Sequence, residues 1–112
     1  MTKVRTATEA VSLIRDGAMV AVNSSSGLLC PDAVLEALGQ RFEATKSPSK
    51  LTTIHPIAAG DMFGTKGVDH LARPGMITKI IGGSYPSGPS NAEPPLIWQR
   101  IQAEDLAAYN VP

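Results

Sequence analysis

Three times along this chain a short apolar run gives way to a segment rich in glycine, serine or proline. Ala18-Met19-Val20-Ala21-Val22 runs into Asn23-Ser24-Ser25-Ser26-Gly27, and Leu51-Thr52-Thr53-Ile54 into an irregular stretch from His55 to Gly75. Ile77-Thr78-Lys79-Ile80-Ile81 runs into Gly82 to Asn91, which holds three glycines and two prolines. Short apolar runs bounded by turn formers read as strands. Helical patterns lie between them, and strands that alternate with helices pair in parallel through right-handed crossovers. The chain is therefore expected to form one domain over residues 1–112, an open and mostly parallel α/β sheet with flanking helices.

The helices have their own signals. Thr6-Ala7-Thr8-Glu9 fits a capping box, with Ala10, Val11 and Ile14 at helical spacing behind it and Asp16-Gly17 as the stop. A second helix is predicted from about Pro31 to Thr45, since proline suits the first turn and Val34, Leu35, Leu38 and Phe42 form one stripe. Gly39 interrupts that helix at a cost of about 1 kcal/mol, as expected where another element packs close. A helical turn is expected near Val68 to Ala72. Pro94-Pro95 open a last helix through Leu96, Ile97, Trp98 and Ile101, and Leu106 to Tyr109 reads as a fourth strand. The continuous run from Ala18 to Val22 predicts a strand buried on both faces.

Composition removes whole classes of function. Ten Lys and Arg balance ten Asp and Glu, so the basic stripe of a nucleic-acid binder is missing. The sequence has no apolar run near the ~20 residues that span a bilayer. Its single cysteine closes no internal disulfide, and a cytoplasmic location is the default expectation.

Each of the first three strands is followed by a long Gly/Ser/Pro-rich segment, whereas the turns back into strands are short. Ligands of open α/β sheets sit beyond the carboxyl ends of the strands, so these loops mark the functional rim. Asn23 to Gly27 offers backbone N–H groups before a helix, suited to an anion or oxyanion, or forms an ordinary capped turn. Gly82 to Asn91 allows close backbone approach to a ligand, or is a rigid surface loop. Cys30 reads as a small packed thiol. His55 and His70 have no clustered ligands, so no metal site is expected, although His55 at a strand's carboxyl end is placed to meet a ligand. Asp61 and Asp69 read as turn and cap residues. Asn110-Val111-Pro112 stops where a fourth rim loop would begin, which suggests a fragment or a module that needs a partner.

The ordered segments resemble the amino-terminal half of the family I coenzyme A transferases of the acyl-CoA:acetate and 3-ketoacid type, closest to the fused single-chain branch. They are Thr8-Glu9-Ala10-Val11, Ile14-Arg15-Asp16-Gly17, Val20-Ala21-Val22 with Pro31, and Leu35-Glu36-Ala37-Leu38. Leu51 through Pro56 follows, with Gly60-Asp61, Leu71-Ala72-Arg73-Pro74-Gly75-Met76, Ile80-Ile81-Gly82-Gly83 and Ala108-Tyr109-Asn110-Val111-Pro112. Their order covers nearly the whole chain.

The resemblance implies an incomplete CoA-transferase/ribose-phosphate-isomerase-like fold working against a second, similar half. In that family a glutamate of the other half attacks the acyl-CoA, forms a glutamyl-CoA thioester and passes CoA to a second carboxylate. The first half lines the acyl pocket and supplies part of the oxyanion hole. Here those roles fall to Asn23, Ser24, Ser25, Ser26 and Gly27, and to Gly82, Gly83, Ser87 and Gly88. No catalytic nucleophile is expected in this chain. Coenzyme A enters as a substrate, with no cofactor. Two departures stand out: serines replace the usual glycines of the first loop, and Ser87 falls near a position where several members carry glutamine. The expected partners are acyl-CoA and carboxylate substrates, and either the second half or another copy bound at the sheet edge. A non-catalytic binding module retaining the fold is the competing reading. A sugar-phosphate isomerase or deaminase lacks its acid/base constellation here.

Overall fold

The computed structural model describes residues 4–25, 28–57, 59–60, 66–83 and 95–110. The elements follow the expected order: α1 (Ala7–Val11), β1 (Met19–Ala21), α2 (Asp32–Thr45), β2 (Leu51–His55), a 3-10 turn (Gly67–Leu71), β3 (Ile77–Gly82), α3 (Leu96–Gln102) and β4 (Ala107–Asn110). The four strands form one sheet in the order β1-β2-β3-β4, and every pair is parallel.

The capping box of α1 is present. The Thr6 hydroxyl oxygen accepts the Glu9 N–H at 3.1 Å, and the Glu9 carboxylate accepts the Thr6 N–H at 3.4 Å. The helix ends at Val11, well before Gly17, giving way to a tighter turn in which the Ile14 N–H donates to Val11 O at 3.1 Å. Arg41 of α2 braces that turn. Its guanidinium donates to Val11 O at 2.8 Å and Ile14 O at 2.7 Å. Asp16 then ties the entry of β1 to the turn before β2, accepting from the Ser47 hydroxyl at 2.7 Å and the Ser49 N–H at 2.9 Å. These two bonds, the hydroxyl's first, hold its carboxyl below the ordinary aspartate range.

Of the stripe predicted on α2, Leu35, Leu38 and Phe42 are buried, while Val34 is 37% exposed. Gly39 is buried beneath the 3-10 turn, where a Cβ would collide with the His70 carbonyl and the Arg73 guanidinium. The close packing expected at this glycine is what the fold contains.

A monotonic strand order with right-handed crossovers puts every connecting helix on the same face of the sheet. Accordingly α2 packs against α1 and the 3-10 turn, and α3 packs against that turn. The core lies between this single layer and the sheet face carrying Leu51, Thr53, His55, Ile77 and Ile80, each at most 2% exposed. The opposite face has no helix among the described residues. The register aligns Met19-Thr52-Lys79-Ala107 and Ala21-Ile54-Ile81-Tyr109 across it. Met19 is 66% and Tyr109 50% exposed. Two-sided burial of β1 is therefore corrected. It is an edge strand whose Val20 packs on the core while Met19 and Ala21 face outward. β4, at the other edge, is exposed along its whole length.

Candidate functional site

Parallel pairing brings the carboxyl ends of β1, β2 and β3 to one edge of the sheet. The loops after β1 and β3 leave from strands two spacings apart, roughly 10 Å at about 4.8 Å per strand, with His55 at the end of β2 between them. The ladder continues past the strand ends: Val22 N–H donates to Ile54 O at 2.8 Å, and Gly83 N–H to His55 O at 3.2 Å. Both loops thus start from hydrogen-bonded bases.

In the first loop Asn23 and Ser25 are exposed and Ser24 is buried. Ser25 and Leu28 close a tight bend through two reciprocal backbone bonds of 2.9 Å. Ser26 and Gly27, between them, lie outside the described residues. In the second loop Gly82 is buried in register with His55 and Gly83 is exposed. Ser87 and Gly88 lie outside the described residues, as does Asp61.

Leu28 and Leu29 were not part of the expected site. They project from this edge at 73% and 92% exposure, and Leu29 holds a left-handed backbone (φ 56°) that costs a leucine energy. Their presence outside any helical stripe is the signal that could have found them. Cys30 packs partly against the core, as a structural thiol does.

His55 is fully buried, and burial lowers its pKa from the ordinary 6.5. Its imidazole is neutral at pH 7, able to donate from one ring nitrogen and accept at the other, but not to act as a fixed cation.

Behind this edge lies a polar cluster that no local spacing in the sequence announces. Asp32, the first residue of α2, accepts the Gly67 N–H at 2.7 Å and meets His70 Nε2 at 3.1 Å. Asp69 accepts the Leu96 N–H at 2.9 Å and the Ile97 N–H at 3.0 Å, capping α3 from 27 residues away. Asp69 thus caps a remote helix, not the local turn expected of it. Burial raises its pKa above the usual aspartate value, outweighing the two backbone donors, which act the other way. Arg73 bonds the His70 carbonyl and pairs with Glu43 at 3.0 Å. The cleft lined by Lys66, Asp69, His70, Arg73 and Leu96 measures about 220 Å³, smaller than the ~300–1,000 Å³ of small-molecule sites. Among the described residues no three His, Cys, Asp or Glu side chains converge as a metal site would need.

No family model matches this chain. It is 28% identical over 110 residues to the acetate CoA-transferase YdiF of Escherichia coli strain K12, and equally to that of Escherichia coli O157:H7. The match covers 97% of this chain and 19% of the relative. The crystal structure of the O157:H7 acyl-CoA transferase YdiF apoenzyme superposes with a TM-score of 0.80 at 29% identity, over 97% of this chain and 20% of that one. Its thioester complex with CoA gives 0.79 at 28% identity, over 96% and 21%. The chain thus spans about a fifth of the proteins it matches. The likeness to CoA-transferases holds in both sequence and fold.

Proposed function

We propose that this chain acts as the amino-terminal part of a CoA-transferase. The whole enzyme moves CoA between an acyl-CoA and a carboxylate through a glutamyl-CoA thioester, and this part contributes acyl-pocket and oxyanion groups. The carrying observation is that the loops starting at Asn23 and Gly83 leave the same sheet edge, in a chain aligned over nearly its whole length with an acyl-CoA transferase solved as a CoA thioester complex.

The nucleophile belongs elsewhere. Among the described residues Glu9, Glu36 and Glu43 lie on helices or their last turns, and Glu104 lies in the turn before β4, the amino end of a strand. Glu93 lies outside the described residues, and by the resemblance none of the five occupies the nucleophile's position. Attack on an acyl-CoA carbonyl builds negative charge on its oxygen, and one well-placed N–H donor there is worth about 3–4 kcal/mol. The Ser25 and Gly83 amides already donate to backbone carbonyls. The donors in these loops are therefore other backbone amides or side chains such as the hydroxyl of Ser87. On this reading the acyl group meets the edge bearing Leu28 and Leu29, and Leu29 supports an apolar acyl chain.

The same reading assigns the open sheet face to the rest of the transferase polypeptide. Parallel sheets bury both faces, and the aligned segment is about a fifth of each matched protein. The row Ala21-Ile54-Ile81-Tyr109 offers an apolar seat for a second helical layer. The acid-exchange chemistry is what the family reading implies, and a cytoplasmic location is proposed only on the single cysteine. The non-catalytic alternative shares the need for a partner on this face.

The test joins this chain to the remaining four-fifths of the Escherichia coli relative and assays exchange of CoA between acetyl-CoA and a second carboxylate. Exchange by the chimaera and none by the isolated chain is the expected result. Exchange by the isolated chain, or a folded chimaera that binds CoA without transferring it, would overturn the proposal.

A further inference from the structure

We infer that the Gly67–Leu71 turn is a positioning device that locks the far ends of all three rim loops to one another through Asp32 and Asp69. The inference rests on the transferase reading for its functional meaning, and on hydrogen bonds alone for its structural content.

Each rim loop leaves the sheet from a fixed base and returns to a helical element on the covered face. The first returns at Asp32, the second at Gly67 and the third at Leu96. Ordinarily each return is secured by its own cap. Here α2 and α3 both follow a proline, Pro31 and Pro95, and neither has a side-chain cap of its own. The first free amides of α3 are held by Asp69 of the turn, one carboxylate oxygen to each N–H. Asp32, at the first position of α2, turns outward and holds the turn by the Gly67 amide and the His70 ring. Loop one is thereby tied to loop two, and loop two to loop three.

The turn itself is over-determined. Gly67 sits at φ +58°, and a Cβ there would collide with the Ala59 carbonyl, which also accepts the Val68 N–H at 3.0 Å. Gly39 lets the turn settle directly onto α2, and the Arg73–His70 and Arg73–Glu43 contacts clamp its exit. A turn seated so closely has little freedom to shift under one loop without moving the others. Two carboxylates spent on remote elements, with local capping positions left to prolines, make sense where loop-to-loop distance is what must be held. Loops that share a substrate need that, because small misplacements of reacting groups cost large factors in rate.

The experiment uses the 112-residue chain, with amide hydrogen exchange and backbone NMR shifts as readouts, on Asp69→Ala, Asp69→Asn and Asp32→Ala. For Asp69→Ala, exchange at Leu96 and Ile97 is expected to rise at least tenfold with β2 and β3 amides unchanged. Shift changes are expected to reach Asn23 to Ser25, and Asp69→Asn, which retains one acceptor, is expected to restore most of the native pattern. Changes confined to Leu96 and Ile97 reduce Asp69 to a local cap and overturn the inference. Uniform acceleration of all amides also overturns it, because the residue then serves global stability; the Asn variant decides the matter if the Ala variant fails to fold. In the chimaera, Asp69→Ala is expected to lower kcat about tenfold with KM for acetyl-CoA changed less than threefold. An inactive wild-type chimaera would count against the transferase reading alone, since exchange and shifts still judge the positioning role.

Discussion

The two faces of this sheet are made of similar residues and live in different environments. Ile80 and Ile81 are neighbours in β3, yet Ile80 is fully buried under the helical layer and Ile81 lies only partly covered on the open side. The covered face is closed by topology: every crossover returns on the same side, and Leu38, Leu71 and Ile97 seal it. The open face keeps Ala21, Ile54, Ile81 and Tyr109 aligned in register, with Met19 in the neighbouring row and no helix above them among the described residues. Hydrophobicity alone thus does not say which side of a strand is core. The direction of the connections does.

The sharpest way to break this comparison is to cut the same side chain on each face. Ile80→Ala is expected to cost about 2–5 kcal/mol, the range for a large aliphatic group removed from a packed core. Ile81→Ala, at a partly covered position, is expected to cost clearly less in the isolated chain, where less contact is lost. Chemical denaturation reads both, and equal costs would mean the open side is covered in solution. Next in size is Gly67→Ala. A left-handed backbone at a non-glycine residue costs about 1–3 kcal/mol, and here the added methyl also strikes the Ala59 carbonyl. Thermal unfolding should show a loss several times that of Gly17→Ala, since Gly17 shares the positive φ but has open space around it.

Much of this architecture was legible because its signals are local. The Thr6-Glu9 box, the apolar runs and the prolines before α2 and α3 each act within a few residues, so element order and parallel pairing follow from the sequence. The common edge for the loops at Asn23 and Gly82 follows from that pairing. The uncovered side of β1 was not legible: Ala18 to Val22 reads the same whether one face is covered or two. Nor was the brace, because Asp32 meets His70 across 38 residues and Asp69 meets Ile97 across 28. Asp69 in sequence is simply an aspartate beside a histidine. Leu29's left-handed backbone is likewise invisible in composition, since leucine gives no warning of it.

A smaller effect separates the covered face by pH. His55 lies on that face, and burial depresses its folded pKa below the ordinary 6.5. Between the two values the unfolded chain binds the proton and the folded chain does not, so stability falls as pH falls through and below about 6.5. Asp69 shifts in the opposite sense. Its folded pKa is raised, so its contribution is greatest in acid and declines as pH rises from 3.8. Denaturation midpoints are expected to drop from pH 7 into the His55 window, and His55→Gln is expected to flatten that drop. An unchanged slope in the variant would show that another group carries the acid sensitivity.

The least costly substitution tests the open face most directly. Ile54→Thr and Ile81→Thr keep a branched, strand-compatible side chain while removing apolar contact area from the centre of the row that runs from Ala21 to Tyr109. In the isolated chain the pair should cost less stability than the core truncation Ile80→Ala, since both positions are only partly covered there, and should lower any tendency to self-associate. With the rest of the transferase polypeptide supplied in trans, the same pair should weaken assembly at least tenfold, because the lost area is then buried. Sedimentation of both mixtures separates the occupants. Loss of self-association with assembly intact points to a second copy on this face; loss of assembly points to the transferase remainder; and no change in either shows that the face is a surface on which nothing docks.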